Sequence, residues 1–92
     1  MMNITNLYNL VQDRKVNPQE SSYTSSLYAA GLSRIAQKVG EEASETIVAA
    51  LTEEKQRLIE EIADLTYHVL VLMVARDITP QDILAELDRR RR

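Results

Sequence analysis

The chain has no cysteine, which excludes disulfides, thiolate metal sites and a cysteine nucleophile, and makes the reducing cytoplasm the simpler compartment to expect. Tryptophan and phenylalanine are also absent, aromatics make up only 4%, and two glycines with two prolines leave few places to turn. That composition disfavours a sheet-rich fold and favours helices. Positive charge is not in excess: the net charge is -3 and the pI is near 5.1, so the overall field does not invite nucleic acid or an anionic membrane. Long apolar runs are missing too. "LTYHVLVLMVA" is too short and too interrupted to cross a bilayer, and "MMNITNLYNL" lacks the basic flank and apolar stretch of a signal peptide. The 92 residues give room for one domain, taken as 1–92, with one modest core.

What is present is helical periodicity. Ile4, Leu7, Tyr8 and Val11 recur at helical spacing, and this first helix should stop before Pro18, which disfavours helix in the residue ahead of it. In "SSYTSSLYAAG" the hydroxyl residues can cap a short helix beginning near Thr24, and Gly31 is a natural stop. From Leu32 to about Leu51 an apolar stripe of Leu32, Ile35, Ala36, Val39, Ala43, Ile47 and Ala50 predicts a third helix. Thr52 then reads as the N-cap of a fourth, running to about Arg76. Beyond Leu65 this helix is apolar nearly all round, the mark of a bundle centre or a subunit interface. Thr79, Pro80 and Asp82 predict a fifth helix, with arginines at its far end. The expected architecture is all-α, a compact bundle of four to five helices. An apolar fourth helix in so small a chain calls for completion by dimerisation.

"KVGEEASETIVAAL" places Glu41, Glu42 and Glu45 in one quadrant of the third helix, opposite its apolar stripe. Arg34 and Lys38 stand upstream on the same face. A solvated surface with i,i+4 pairing, such as Lys38 with Glu42, would account for part of this. Yet Glu41 and Glu45 are like charges at i,i+4, which costs about 0.2–0.5 kcal/mol in an isolated helix. On the fourth helix, Glu61 and Asp64 lie three residues apart, with His68 one turn further on. An antiparallel hairpin turning near Thr52 would set Glu45 across from Glu61 and Glu42 across from Asp64, each pair within about 3 Å of the same height. Carboxylates brought together in a partly enclosed place repel and take up protons unless a cation is there. Oxygen ligands without cysteine favour Mg²⁺, or Mn²⁺, over Zn²⁺.

The segments "RKVNPQESSYTSSL", "KVGEEASE" and "EIADLTYHVLVLM" together resemble the phosphoribosyl-ATP pyrophosphohydrolase family over nearly the whole chain. Glu41, Glu42, Glu45, Glu61 and Asp64 match the EExxE then ExxD signature of the wider all-α nucleoside triphosphate pyrophosphohydrolases. The "SYT" segment, "KVGEE" and "ADLTYH" narrow the resemblance to this family. One departure is Ser26, which stands where many relatives carry a lysine. The resemblance implies hydrolysis of phosphoribosyl-ATP to phosphoribosyl-AMP and pyrophosphate, the second step of histidine biosynthesis. It also implies a homodimer, and a product passed to a separate cyclohydrolase.

By motif position, Glu42, Glu45, Glu61 and Asp64 are then the expected metal ligands. Glu41 is an outer carboxylate, an additional ligand or a water-orienting base. Lys38 and Arg34 are candidates for holding phosphate oxygens, and Arg14 and Lys15 for reaching the ribose phosphate. Tyr23 and Tyr28 could stack on adenine or fill the core; Ser22 and Thr24 could contact phosphate or cap a helix. His68 reads either as satisfied by its neighbours or as oriented by the Asp64 carboxylate. Three other functions fit the same residues: a house-cleaning pyrophosphohydrolase acting on dUTP, dCTP or aberrant nucleotides, a Mg²⁺-nucleotide binding module without turnover, and a purely structural helical dimerisation module.

Overall fold

A computed structural model describes residues 1–91 and contains five helices: α1 (Ile4–Val16), α2 (Tyr23–Ala30), α3 (Leu32–Thr52), α4 (Lys55–Ala75) and α5 (Pro80–Arg89). No strand occurs among the described residues, as the composition leads one to expect. Of the terminal arginine run, Arg92 lies outside them.

The helix ends follow local chemistry. Asn3 caps α1 by accepting the Asn6 N–H at 2.8 Å, and α1 ends ahead of Pro18. Ser22 caps α2 through the Ser25 N–H at 3.1 Å. Gly31 then closes α2 and opens α3 with a φ of +100°, a conformation that a side chain would strain. After α4 the chain turns through Asp77 at φ +56°. The N–H of Ile78 reaches back to the Met73 carbonyl at 2.8 Å and that of Asp77 to Val74 at 3.1 Å, so the last carbonyls of α4 are satisfied in a Schellman turn. Thr79 and Asp82 exchange reciprocal side-chain to backbone bonds around Pro80 and start α5 as expected.

One boundary differs from the sequence reading. Thr52 is the last residue of α3, where its hydroxyl donates to the Val48 carbonyl at 2.8 Å. The turn is Glu53–Glu54, both extended, and Glu54 precedes α4 without a side-chain capping bond. A threonine can bond back to the carbonyl four residues earlier as readily as it caps forward, and here it does the former.

α3 and α4, each of 21 residues, form a hairpin with the most extensive packing in the molecule. α1 packs on α4, α2 on α3, and α5 on α1. The core gathers Tyr8 and Val11 of α1, Leu27 of α2, Ile35 of α3, and Leu70, Val71, Met73 and Val74 of α4. The C-terminal half of α4 is therefore the bundle's centre, one of the two roles its sequence left open. Toward the turn the hairpin is bare. Ile47, Val48, Leu51, Ile59 and Ile62 are exposed, so the apolar stripe drawn for α3 is buried at Ile35 and open at Leu32, Ala36, Ile47 and Ala50.

With no other large aromatics, the tyrosines tie the helices together. Tyr8 donates to the Ile78 carbonyl at 2.9 Å and Tyr28 to the Val11 carbonyl at 2.8 Å. Tyr67 of α4 bonds Thr24 of α2, and Tyr23 of α2 bonds His68 of α4 at 2.9 Å. Burial first, then the neighbouring Tyr67 and Tyr8, push the Tyr28 phenol up to about 12. Burial, with Asp77 and Asp82 beside it, also raises Tyr8.

A pKa higher in the folded than in the unfolded chain gives stability that is complete below the unfolded value and lost as pH rises through the folded one. The thermal midpoint should therefore hold steady up to pH 10 and fall between pH 10 and about 12. Tyr28→Phe should start lower by about 1 kcal/mol, from its lost hydrogen bond, and decline less steeply over that window. Equal slopes in pH-dependent melting would refute the assignment to Tyr28.

Candidate functional site

The middle of the hairpin carries an unusual burden. Glu42 of α3 is 7% exposed and Glu61 of α4 only 1%, in a chain with a single small core. One carboxylate oxygen each from Glu42, Glu45 and Glu61 lies within 4.8 Å of the others. Glu45 is exposed and forms the solvent side of the group. The helices are locked at this height by Thr46, whose hydroxyl approaches the Glu42 carbonyl at 2.8 Å on its own helix and the Glu61 carbonyl at 3.3 Å across the hairpin.

Each buried carboxylate is half compensated. Lys38 Nζ stands 3.4 Å from Glu42 Oε1, and Arg57 Nη2 stands 2.5 Å from Glu61 Oε1. The other oxygens, Glu42 Oε2 and Glu61 Oε2, are buried with no hydrogen-bond partner. A buried acceptor without a partner costs about 1–3 kcal/mol, more when charged. Two cations against three carboxylates also leave negative charge in excess. Such a donor set fits a hard divalent cation, which takes carboxylate oxygens and removes both deficits at once. At Lys38 burial works to lower the pKa. It is outweighed by the bond to Glu42 and by the charges of Tyr23, Glu42 and Glu41, which hold the ammonium above its ordinary value.

The remaining expected residues are distributed around this cluster. Asp64 is exposed and lies outside the group formed by Glu42, Glu45 and Glu61. Glu41 turns outward to Arg34 at 3.6 Å and accepts from the Gln37 amide at 3.3 Å. Arg14 pairs with Asp13 at 3.0 Å on α1, and Lys15 is exposed beside it. The ring of Tyr23 is half exposed while its hydroxyl is engaged by His68. His68 is buried, and its Nδ1 bonds the backbone carbonyl of Asp64 at 2.7 Å, in place of the carboxylate suggested by the spacing. Ser22 acts as a helix cap, Met73 as core, and the Tyr28 hydroxyl is spent on Val11.

Two participants went unforeseen. Thr46 gives no signal in a sequence, since an i−4 bond and a cross-helix bond look alike there. Arg57 did carry one: it precedes Glu60 and Glu61 by three and four residues, the spacing of helical ion pairs. A cavity of about 350 Å³ opens against this wall, lined by Ser44, Glu45, Val48, Glu53, Arg57 and Glu61. A separate apolar cavity of about 280 Å³ lies between α1, α4 and α5 and is lined by no charged side chain.

The family model described as phosphoribosyl-ATP pyrophosphohydrolase matches residues 4–91. The chain is similar to a phosphoribosyl-ATP pyrophosphatase of Clostridium botulinum, 52% identical over 88 residues that cover 96% of this chain and 80% of that protein. A phosphoribosyl-ATP pyrophosphatase of Sulfolobus acidocaldarius is 49% identical over 87 residues, 95% of this chain and 92% of that one. A histidine biosynthesis bifunctional protein HisIE of Caldanaerobacter subterraneus is 44% identical over 87 residues, 95% of this chain and 42% of that longer protein.

The two unpartnered oxygens make a thermal prediction. A ligand at a hundred times its Kd stabilises by about 2.7 kcal/mol, which in a domain of this size raises the midpoint by on the order of 10–20 °C. Mg²⁺ or Mn²⁺ should give such a rise, EDTA should reverse it, and Glu61→Gln should abolish it. Melting curves unmoved by either cation would remove the case for a cation at these oxygens.

Proposed function

The chain belongs to the phosphoribosyl-ATP pyrophosphohydrolase family, and from that premise we propose that the Glu42–Glu45–Glu61 cluster is where it cleaves its substrate. The enzyme hydrolyses phosphoribosyl-ATP to phosphoribosyl-AMP and pyrophosphate, a step of histidine biosynthesis. Water supplies the oxygen, the bond between the α and β phosphates breaks, and pyrophosphate leaves. No covalent nucleophile is needed, since phosphoryl transfer relies on positioning and charge neutralisation.

The observation that supports this placement is the pair of buried, unpartnered carboxylate oxygens on facing helices, with Glu45 beside them. Glu42, Glu45 and Glu61, with Asp64 at the rim, would hold Mg²⁺, or Mn²⁺ in its place. Bound there, the cation would neutralise phosphate charge and acidify a water molecule. Lys38, largely shielded from solvent next to Glu42, holds phosphate oxygens and stabilises the leaving pyrophosphate. Arg34 assists from one turn upstream, where it already balances Glu41. Glu41, turned outward to Arg34 and Gln37, serves as an outer carboxylate of the site. Arg14 and Lys15 extend positive charge from α1 toward the ribose phosphate, and the open face of Tyr23 receives the adenine.

We further propose that two copies associate. The bare end of the hairpin, with Ile47, Val48, Leu51, Ile59 and Ile62, and the apolar face of α5, with Ile83, Leu84 and Leu87, are larger than scattered surface apolars require. We propose that the product passes to a cyclohydrolase whose residues lie outside these 92, which include no cysteine for the zinc site such chemistry commonly uses.

The test is pyrophosphate release from phosphoribosyl-ATP, with ATP and dUTP as controls, with and without Mg²⁺. Turnover should be confined to phosphoribosyl-ATP and require the cation, and Glu45→Ala should lower kcat/KM by ~10²-fold or more. Equal turnover of dUTP would move the protein to the house-cleaning enzymes, and a fully active Glu45→Ala would take the chemistry away from this cluster. Sedimentation equilibrium should give twice the 10.5 kDa chain mass; a 10.5 kDa species at micromolar concentration would refute the dimer.

A further inference from the structure

We propose that Arg57 is a resident counter-ion of the carboxylate cluster, one that competes with the divalent cation for Glu61 and thereby sets how tightly the site takes a metal. The inference rests on the metal-site reading above and concerns a residue outside the acidic signature. Arg57 and Glu61 are one turn apart on α4, and the guanidinium forks: Nη2 lies 2.5 Å from Glu61 Oε1 and Nη1 lies 3.1 Å from Glu60 Oε1. Arg57 is half exposed, whereas Glu61 is almost completely buried. Arg57 also lines the cavity bounded by Glu45 and Glu61, and its Nη2 is on Glu61, so a cation approaching those two carboxylates meets a positive group already there.

Three physical consequences follow from that placement. A guanidinium does not deprotonate at any pH the protein survives, so it cannot relieve the conflict by losing its charge. It must be displaced, or the metal must bind against its repulsion. Displacement is made easier by Glu60, an exposed carboxylate that already holds the other nitrogen and can keep Arg57 when Glu61 turns to the cation. Before metal arrives, the same contact supplies the buried Glu61 with an opposite charge, without which that carboxylate would sit almost uncompensated. Arg57 thus acts with opposite signs on two measurable quantities: it stabilises the metal-free protein and weakens metal binding. Lys38 differs, since it pairs with Glu42 on α3 and does not line this cavity.

The experiment is calorimetric titration of the full, metal-free chain with Mn²⁺, alongside its thermal midpoint without metal. The proteins compared are the wild type, Arg57→Gln, Arg57→Lys and Lys55→Gln. Lys55 stands on the same helix two residues earlier and makes no ion pair among the described residues, so its variant removes an equal charge without the contact. Arg57→Gln should bind Mn²⁺ roughly tenfold more tightly while melting at a lower temperature without metal. Arg57→Lys, which keeps the charge, should stay within about threefold of wild type, and Lys55→Gln within about twofold. Unchanged or weaker binding by Arg57→Gln overturns the proposal, as does an equal gain in Lys55→Gln, which would make the effect one of net charge. If the wild type binds Mn²⁺ and Glu45→Ala weakens it while Arg57→Gln changes nothing, only the role of Arg57 fails. If neither wild type nor Arg57→Gln binds Mn²⁺, the metal-site reading fails with it.

Discussion

Everything in this small bundle is arranged around the burial of Glu42 and Glu61 between its two longest helices. Moving a carboxylate out of water costs several kcal/mol even after relaxation, and a domain's whole stability is only about 5–15 kcal/mol. Two such groups on adjoining faces can persist only where their charge is met locally. Lys38 and Arg57 each meet one oxygen, leaving the second oxygen of each carboxylate without a partner. The hairpin is therefore held together at its middle by groups that fit better with something bound than without it. At the same height Thr46 bonds across the two helices.

The rest of the fold compensates at the other end of the hairpin. With no phenylalanine or tryptophan, the core is built from aliphatics and the rings of tyrosines whose hydroxyls reach out of it to specific backbone and side-chain partners. These bonds fix α1 and α2 to each other and to α4 and the turn after it in one register, which undirected aliphatic contact would specify less tightly. They also set where the bundle ends. α1, α2 and α5 cover the Ile35 to Val74 end and leave the turn end bare, so the acidic cluster sits at the boundary between a packed body and an apolar projection. A second chain covering that projection would exclude water from the same boundary.

Helices and most of their ends were legible because their causes are local. Ser22, Gly31, Thr79 and Pro80 act within three or four residues of themselves, and the structure uses each as the spacing indicates. Thr52 was not legible, because one hydroxyl has two local options and only the packed turn selects between them. The stripe on α3 shows the same limit at a larger scale. Periodicity puts Ile35 and Ile47 at the two edges of one apolar stripe, about 120° apart, and tertiary coverage buries Ile35 while leaving Ile47 open. The convergence of Glu42, Glu45 and Glu61 could be read from hairpin geometry, but the same geometry does not distinguish Glu61 from Asp64. Three residues on, at about 100° each, the direction is some 60° off, and the outcome is one carboxylate buried and one exposed. Arg57 was visible as an i,i+4 partner and passed over, because exposed pairs of that kind ordinarily do little. What changes its meaning is the burial of Glu61, which no spacing reveals.

The single histidine sharpens the chemical picture by what it is unable to do. His68 Nδ1 lies 2.7 Å from a backbone carbonyl, which only accepts, so the proton is on Nδ1. Its Nε2 lies 2.9 Å from the Tyr23 hydroxyl, a group that can donate or accept, so both ring nitrogens are in use. A buried imidazole committed on both sides has no site left for abstracting a proton from water or delivering one to a leaving oxygen. Its effect is positional: it joins the Asp64 backbone on α4 to Tyr23 on α2, which fixes the half-exposed aromatic face against the helix that carries the rim of the acidic cluster. The proposed acid–base work therefore falls to the carboxylates, and the proposed seat for adenine to the helix that His68 holds against α4.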